Sequence, residues 1–213
     1  MSATEPASLP LAPLAAAAAA ASALAAFWGE PDMQALRRWR SAALHEDLRL
    51  VADALGCGED LLEPMREALR TPHRILAEEY ERLCVGPGTV PCPPYEALWR
   101  KDRPKLEQGT VYGAVTGKVA DLYDEIGVRV RPELRELPDH IAAEWEAVAY
   151  ALTLGPTERL AAKDLLAEHL AVWLPPFLRR VEDSQSRTFY LLLAQLTGLW
   201  QPAILAILER ETA

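Results

Sequence analysis

The chain has 213 residues, 50% of them apolar and 25% charged, with a formal net charge of −9. That length supports one domain with a real core, or two small ones, and the composition is that of a soluble globular protein. The acidic balance argues against nucleic acid and anionic membrane as partners and favours a basic one. The three cysteines, Cys57, Cys84 and Cys92, form no even disulfide set, and a reducing compartment is the simpler reading.

The stretch "LAPLAAAAAAASALAAFW" has the look of a signal peptide, but no Lys or Arg precedes Arg37, so the basic segment of a leader is missing. Alanine is too weakly hydrophobic for a good membrane span and is the best helix former. The expectation is a loose tail over residues 1–12, a first helix over 14–28, and an all-helical domain over 13–213. From Asp32 to Leu55 the positions Leu36, Trp39, Leu44, Leu48, Val51 and Leu55 keep a helical period, which Gly56 and Gly58 stop. "EDLLEPMREALR" predicts a short helix from Asp60. "TPHRILAEEYERL" predicts another, with Thr71 as N-cap and Pro72 at the first helical position.

A different kind of segment follows. "VGPGTVPCPPYEALW", Val85 to Trp99, is too rich in proline for a helix or an ordinary strand. It predicts a rigid apolar loop reaching to about Pro104. A long loop inside a compact domain is usually functional or disordered, and the prolines and aromatics argue against disorder. Beyond it, Gly109, Gly113 and Gly117 stand four apart, which predicts a bare helix face packed closely on another element. "LPDHIAAEWEAVAYAL" predicts a helix opening near Pro138, and Thr157–Asp183 predicts one kinked or divided at Pro175-Pro176. Arg187–Glu209 closes the chain, with a break at Pro202. No alternating strand pattern and no repeat is present. The fold class is all-α: a single-domain helical bundle of roughly ten helices with one long proline-rich loop.

Most catalytic chemistry finds no support. There is no C-x-x-C or H-x-x-x-H pair, and "HEDLR" at His45 has Arg49 where a second zinc-binding His belongs, so no metal site is predicted. The glycines fit neither phosphate-binding fingerprint. A hydrolase or nucleotide-binding protein using Cys92 with His140 or His169 stays open as an alternative, as does a helical adaptor or scaffold. Two constellations remain: Tyr95-Glu96 in the proline loop and Pro138-Asp139-His140 at a helix start. Each has a plain reading, with Asp139 a cap, His140 a surface residue, Tyr95 core and Glu96 an exposed charge.

Taken together the segments resemble the TorD/DmsD/NarJ family of redox-enzyme maturation chaperones. "EEYERLCVGPG", "PCPPYEALW", "LYDEIGV", "LPDHIAAEWEAVAYAL" and "EHLAVWLPPFLRRVEDSQSRTFYLLLAQL" match that family's segments in order, over roughly residues 75–200. Cys84 stands where the family often has Phe, and Ala97 where Ser often follows the glutamate. The resemblance implies a cytoplasmic, non-enzymatic chaperone without a cofactor, active as a monomer or a domain-swapped dimer. Its implied partner is the catalytic subunit of a molybdopterin oxidoreductase, held by its twin-arginine leader peptide, with no nucleic acid and no stable membrane association. Asp139 and His140 are the implied binding residues, with Pro138, Tyr95, Glu96 and Trp99 beside them. Asp139 and Glu96 are expected to meet the arginines, and the prolines and aromatics to supply an apolar wall. His169 and Trp173 match the C-terminal segment and are expected to pack in the core.

Overall fold

The computed structural model describes residues 11–102, 110–111, 113–130, 136–184 and 188–212. Most of the expected tail, together with Gly109 and Arg187, lies outside those residues. The helices are α1 (Pro13–Trp28), α2 (Met33–Trp39), α3 (Ala42–Leu55), α4 (Glu59–Ala68), α5 (His73–Tyr80), α6 (Ala114–Ile126), α7 (Ile141–Ala151), α8 (Pro156–Asp164), α9 (Ala171–Asp183) and α10 (Thr188–Glu211). The proline loop lies between α5 and α6 and contains, among its described residues, one 3₁₀ turn, Glu96–Leu98. The all-α expectation therefore holds.

Helix ends follow local chemistry. The segment Asp32–Leu55 forms two helices because it holds two side-chain caps: Asp32 accepts from the Ala35 N–H and Ser41 from the Leu44 N–H. Between them Arg40 reaches across to the carbonyls of Leu69 (2.7 Å) and Thr71 (2.7 Å). This corrects the expected Thr71 cap. Thr71 offers its carbonyl to Arg40, and Pro72 occupies the cap position with no side-chain bond.

The prolines within helices act differently from the expectation. Pro175 and Pro176 lie inside α9. The irregularity falls just before them, in a π-helical turn over Leu165–Leu170. Each proline leaves the carbonyl four residues earlier, on Ala171 and Val172, without its helical donor. The wide turn ends at the residue before that pair. Pro202 does not break α10, which runs through it. The bare glycine face is also corrected. Gly113 is the residue before α6, only Gly117 of the three lies inside it, and a Cβ at Gly117 would meet nothing within 4 Å.

The core is built on α10 and α1. α10 is long and apolar enough by composition to cross a membrane, but half of that stretch is buried inside the protein. Phe189, Leu193, Leu196, Trp200 and Ile204 are sealed, and around them Phe27, Trp39 and Phe189 form edge and stacked ring contacts with centroids 5.4–6.0 Å apart. Trp28 donates its indole N–H to Thr197 at 3.0 Å, tying α1 to α10. The most extensive helix pairing is α1 against α7. Ala16, Ala17, Ala20 and Ala21 are fully buried on α1, as is Ala151 on α7, so small side chains let the backbones approach. Enlarging one of these should strain the pairing. Ala20→Leu should lower stability by about 1–3 kcal/mol in urea unfolding, while the exposed Ser22→Ala stays near neutral.

Candidate functional site

The proline loop is bound to the segment before α7 by a short antiparallel pairing. The Glu96 N–H donates to the Asp139 carbonyl at 2.9 Å, and the Ile141 N–H donates to the Pro94 carbonyl at 2.9 Å, with Tyr95 opposite His140. The first amide groups of a helix have no partner inside it. Here the loop supplies one for Ile141, and His140 supplies the next through Nδ1, which accepts from the Ala142 N–H at 3.2 Å. The cap of α7 is thus His140, not Asp139. The Asp139 side chain turns the other way and accepts from the Ala97 N–H at 3.0 Å.

A second layer of polar contacts lies behind this pairing. Glu96 is 0% exposed and bonds on both oxygens, to Arg100 Nη1 at 2.7 Å and to His169 Nδ1 at 2.8 Å. His169 comes from the π-helical turn between α8 and α9, the kind of turn that re-aims a side chain. Arg100 also reaches the Glu168 carbonyl at 2.7 Å and clamps Asp102 at 2.6 and 2.7 Å. That clamp holds the Asp102 carboxyl down at about 2. Burial pushes the Asp139 carboxyl up, against the pull of the Ala97 N–H. Glu144, one turn into α7, is wholly enclosed. Burial first, and then the charges of Glu96 and Asp139, push its carboxyl well above the usual range, and among the described residues the Trp173 indole is its one hydrogen-bond partner, at 3.4 Å.

The sequence-predicted residues are therefore brought together, apart from Trp99. Its indole N–H donates to the Pro93 carbonyl at 2.7 Å and its ring meets Phe177 at 5.5 Å, so it closes the loop on itself. Pro138 offers its carbonyl to the Tyr123 hydroxyl at 2.7 Å, and Tyr95 stacks edge-on to His140 at 5.2 Å. Asp139 and Glu96 are both completely buried and already bonded, so neither carboxylate faces an incoming arginine in this conformation. His169 holds Glu96 and is more than core filling. The thiol of Cys92 lies 3.3 Å from the Ser184 hydroxyl, and burial raises its pKa, the reverse of an activated nucleophile.

What the sequence did not single out is an open groove of ≈ 690 Å³ beside His140. Ala25 and Ala26 of α1, Ala142, Ala143 and Ala147 of α7, and Val128 and Val130 line it with small apolar groups, beside the Ser22 hydroxyl. Three carboxylates stand around it, Glu30, Glu136 and Glu146, with the exposed Tyr150. The one cation among its described lining residues, Arg129, pairs with Asp124 at 3.0 Å. Glu136 sits just ahead of the P-D-H segment, and a run of alanines opposite charged residues at helical spacing was the available signal for the rest.

The nitrate reductase delta subunit family model matches residues 15–179. The chain belongs to that family, the maturation chaperones that its motifs resemble. Among characterised relatives, it is 28% identical to the Tat proofreading chaperone DmsD of Salmonella typhi over 68% of this chain and 71% of that one. It is 29% identical to the chaperone protein TorD of Shewanella loihica over 59% and 58%, and 29% identical to the chlorate reductase assembly chaperone protein of Ideonella dechloratans over 76% and 75%. The fold matches a crystal structure described as a redox enzyme maturation protein from Archaeoglobus fulgidus, with a TM-score of 0.58 at 20% identity over 85% of this chain and 91% of that one.

Two outcomes follow from the buried polar layer. Arg100→Ala leaves the Glu96 carboxylate short of a buried partner and should cost on the order of 3–5 kcal/mol, part of which Glu96→Gln in the same chain should restore. Glu144 has a folded pKa above its unfolded one, so its stabilising contribution is complete at acid pH and is lost as pH rises through the folded value. Glu144→Gln should therefore gain stability relative to the parent as pH rises from about 4.5 to 8.5, read as the difference in Tm.

Proposed function

We propose that this protein is a cytoplasmic chaperone for the maturation of a molybdopterin oxidoreductase, and that it binds the basic, apolar leader segment of that enzyme's catalytic subunit in the groove between α1 and α7. The observation that carries the reading is the pairing of an alanine- and valine-lined floor with three surrounding carboxylates. A twin-arginine leader presents the complement: paired cations followed by an apolar stretch. Small floor residues let a helical segment approach closely, in the manner of helix-in-groove recognition, and the net charge of −9 speeds capture of a basic chain.

In this reading the buried residues act indirectly. Asp139, Glu96, Arg100 and His169 hold the proline loop against the start of α7, Trp99 holds that loop's shape, and Pro138 ties the start of α7 to Tyr123 of α6. His140 faces the groove. A wall fixed in advance loses little conformational entropy when the peptide arrives. The names of the relatives, which speak of Tat proofreading and of reductase assembly, support the same job and the same class of client. Retention of the client until its cofactor is inserted would follow from occupancy of the groove.

Calorimetric titration with a twin-arginine leader peptide should give about −8 kcal/mol, roughly micromolar affinity. Ala143→Trp fills the floor and should abolish binding while leaving Tm within a few degrees of the parent. Unchanged binding in that variant would overturn the placement of the peptide.

A further inference from the structure

Resting on that reading, we infer that Glu136 is the residue that selects arginine over lysine in the groove, with Tyr95 and His140 as the positioning residues that set its carboxylate. Oε1 of Glu136 accepts two hydrogen bonds from the protein itself, from the Tyr95 hydroxyl at 2.9 Å and from the Leu137 N–H at 3.1 Å. Both lone pairs of that oxygen are engaged, and the carboxylate plane is set. Among the described residues Oε2 makes no hydrogen bond. His140 Nε2 lies 4.0 Å from it, too far for one. The side chain is 31% exposed, in the wall of the groove.

The histidine completes the arrangement. Because His140 Nδ1 accepts from the Ala142 N–H, its ring proton sits on Nε2. The groove wall thus offers one fixed acceptor, Glu136 Oε2, next to one fixed donor, His140 Nε2–H. An arginine of a bound peptide answers both: guanidinium N–H groups on Oε2, and a peptide carbonyl on Nε2–H. Tyr95 holds Glu136 from behind and does not line the groove.

The selection follows from hydration and from the planar shape of the guanidinium. A guanidinium is planar and weakly hydrated, and it tolerates a half-buried carboxylate that offers one free oxygen. An ammonium group is strongly hydrated and would give up more of its water there than one half-buried carboxylate oxygen returns. Glu30 and Glu146 differ, being exposed and without an orienting hydrogen bond among the described residues. They attract any cation through a screened field and discriminate little.

The test is calorimetry on the full chain with two synthetic peptides, one with paired arginines ahead of an apolar stretch and one with lysines in their place. Glu136→Gln should weaken the arginine peptide by about 10-fold or more and bring the two peptides close to equal affinity. Tyr95→Phe keeps the ring against His140 but frees the carboxylate, and should narrow the arginine preference several-fold. Glu146→Gln should weaken both peptides alike, and less so at high salt. If Glu136→Gln and Tyr95→Phe keep the full arginine preference while Ala143→Trp still abolishes binding, the groove stands and the assignment of Glu136 falls. If Ala143→Trp has no effect either, the groove reading fails with it.

Discussion

Two backbone hydrogen bonds, Glu96 N–H to the Asp139 carbonyl and Ile141 N–H to the Pro94 carbonyl, join the proline loop to the start of α7, and the candidate site depends on that join. A bridge this short would be marginal alone. It persists because each of its residues is also held from behind: Glu96 by Arg100 and His169, Asp139 by the Ala97 N–H, and Tyr95 by Glu136. The prolines contribute by narrowing the unfolded ensemble, so that less entropy is lost on ordering the loop. The result is a stiff wall at the first turn of α7, next to a groove floored by alanine.

The buried charges carry a cost that the geometry explains. Removing carboxylates from water is unfavourable unless they are paired and hydrogen-bonded. Glu96 meets that condition with two partners. Glu144 does not, and its raised pKa is the consequence: the group stays protonated where an exposed glutamate would ionise. Arg100 has the widest reach, since it links the loop to the π-helical turn before α9 through the Glu168 carbonyl and so couples two distant parts of the chain. The proposed binding groove and this layer are therefore linked through the position of His140 and Glu136.

Much of this was legible in the sequence, for reasons that can be named. Helical periods located most of the helices because an apolar face spaced at three and four residues has few other uses. The proline loop stood out because proline density excludes regular structure, and the ordered segments around Tyr95-Glu96 and Asp139-His140 carried the family resemblance. What was not legible depended on side-chain direction. Asp139 is the better cap by residue type, but the loop's Ala97 N–H takes its carboxylate and leaves the cap to His140. Prolines 175, 176 and 202 look like helix breaks in a sequence, but packing against the core keeps the helices going and moves the irregularity to a π-helical turn. Glu136, Glu30 and Glu146 read as ordinary surface charges, because their common groove is assembled from α1, α7 and the residues after α6, far apart in the chain.

The central claim is the place where the leader binds. The most direct measurement is amide hydrogen exchange on the full chain with and without a twin-arginine leader peptide. The account predicts slowed exchange concentrated in the second half of α1, in Val128–Val130 and in α7, with little change between α9 and α10, where a separate groove of ≈ 560 Å³ lies. Protection confined to α9 and α10, with α1 and α7 unchanged, would contradict it.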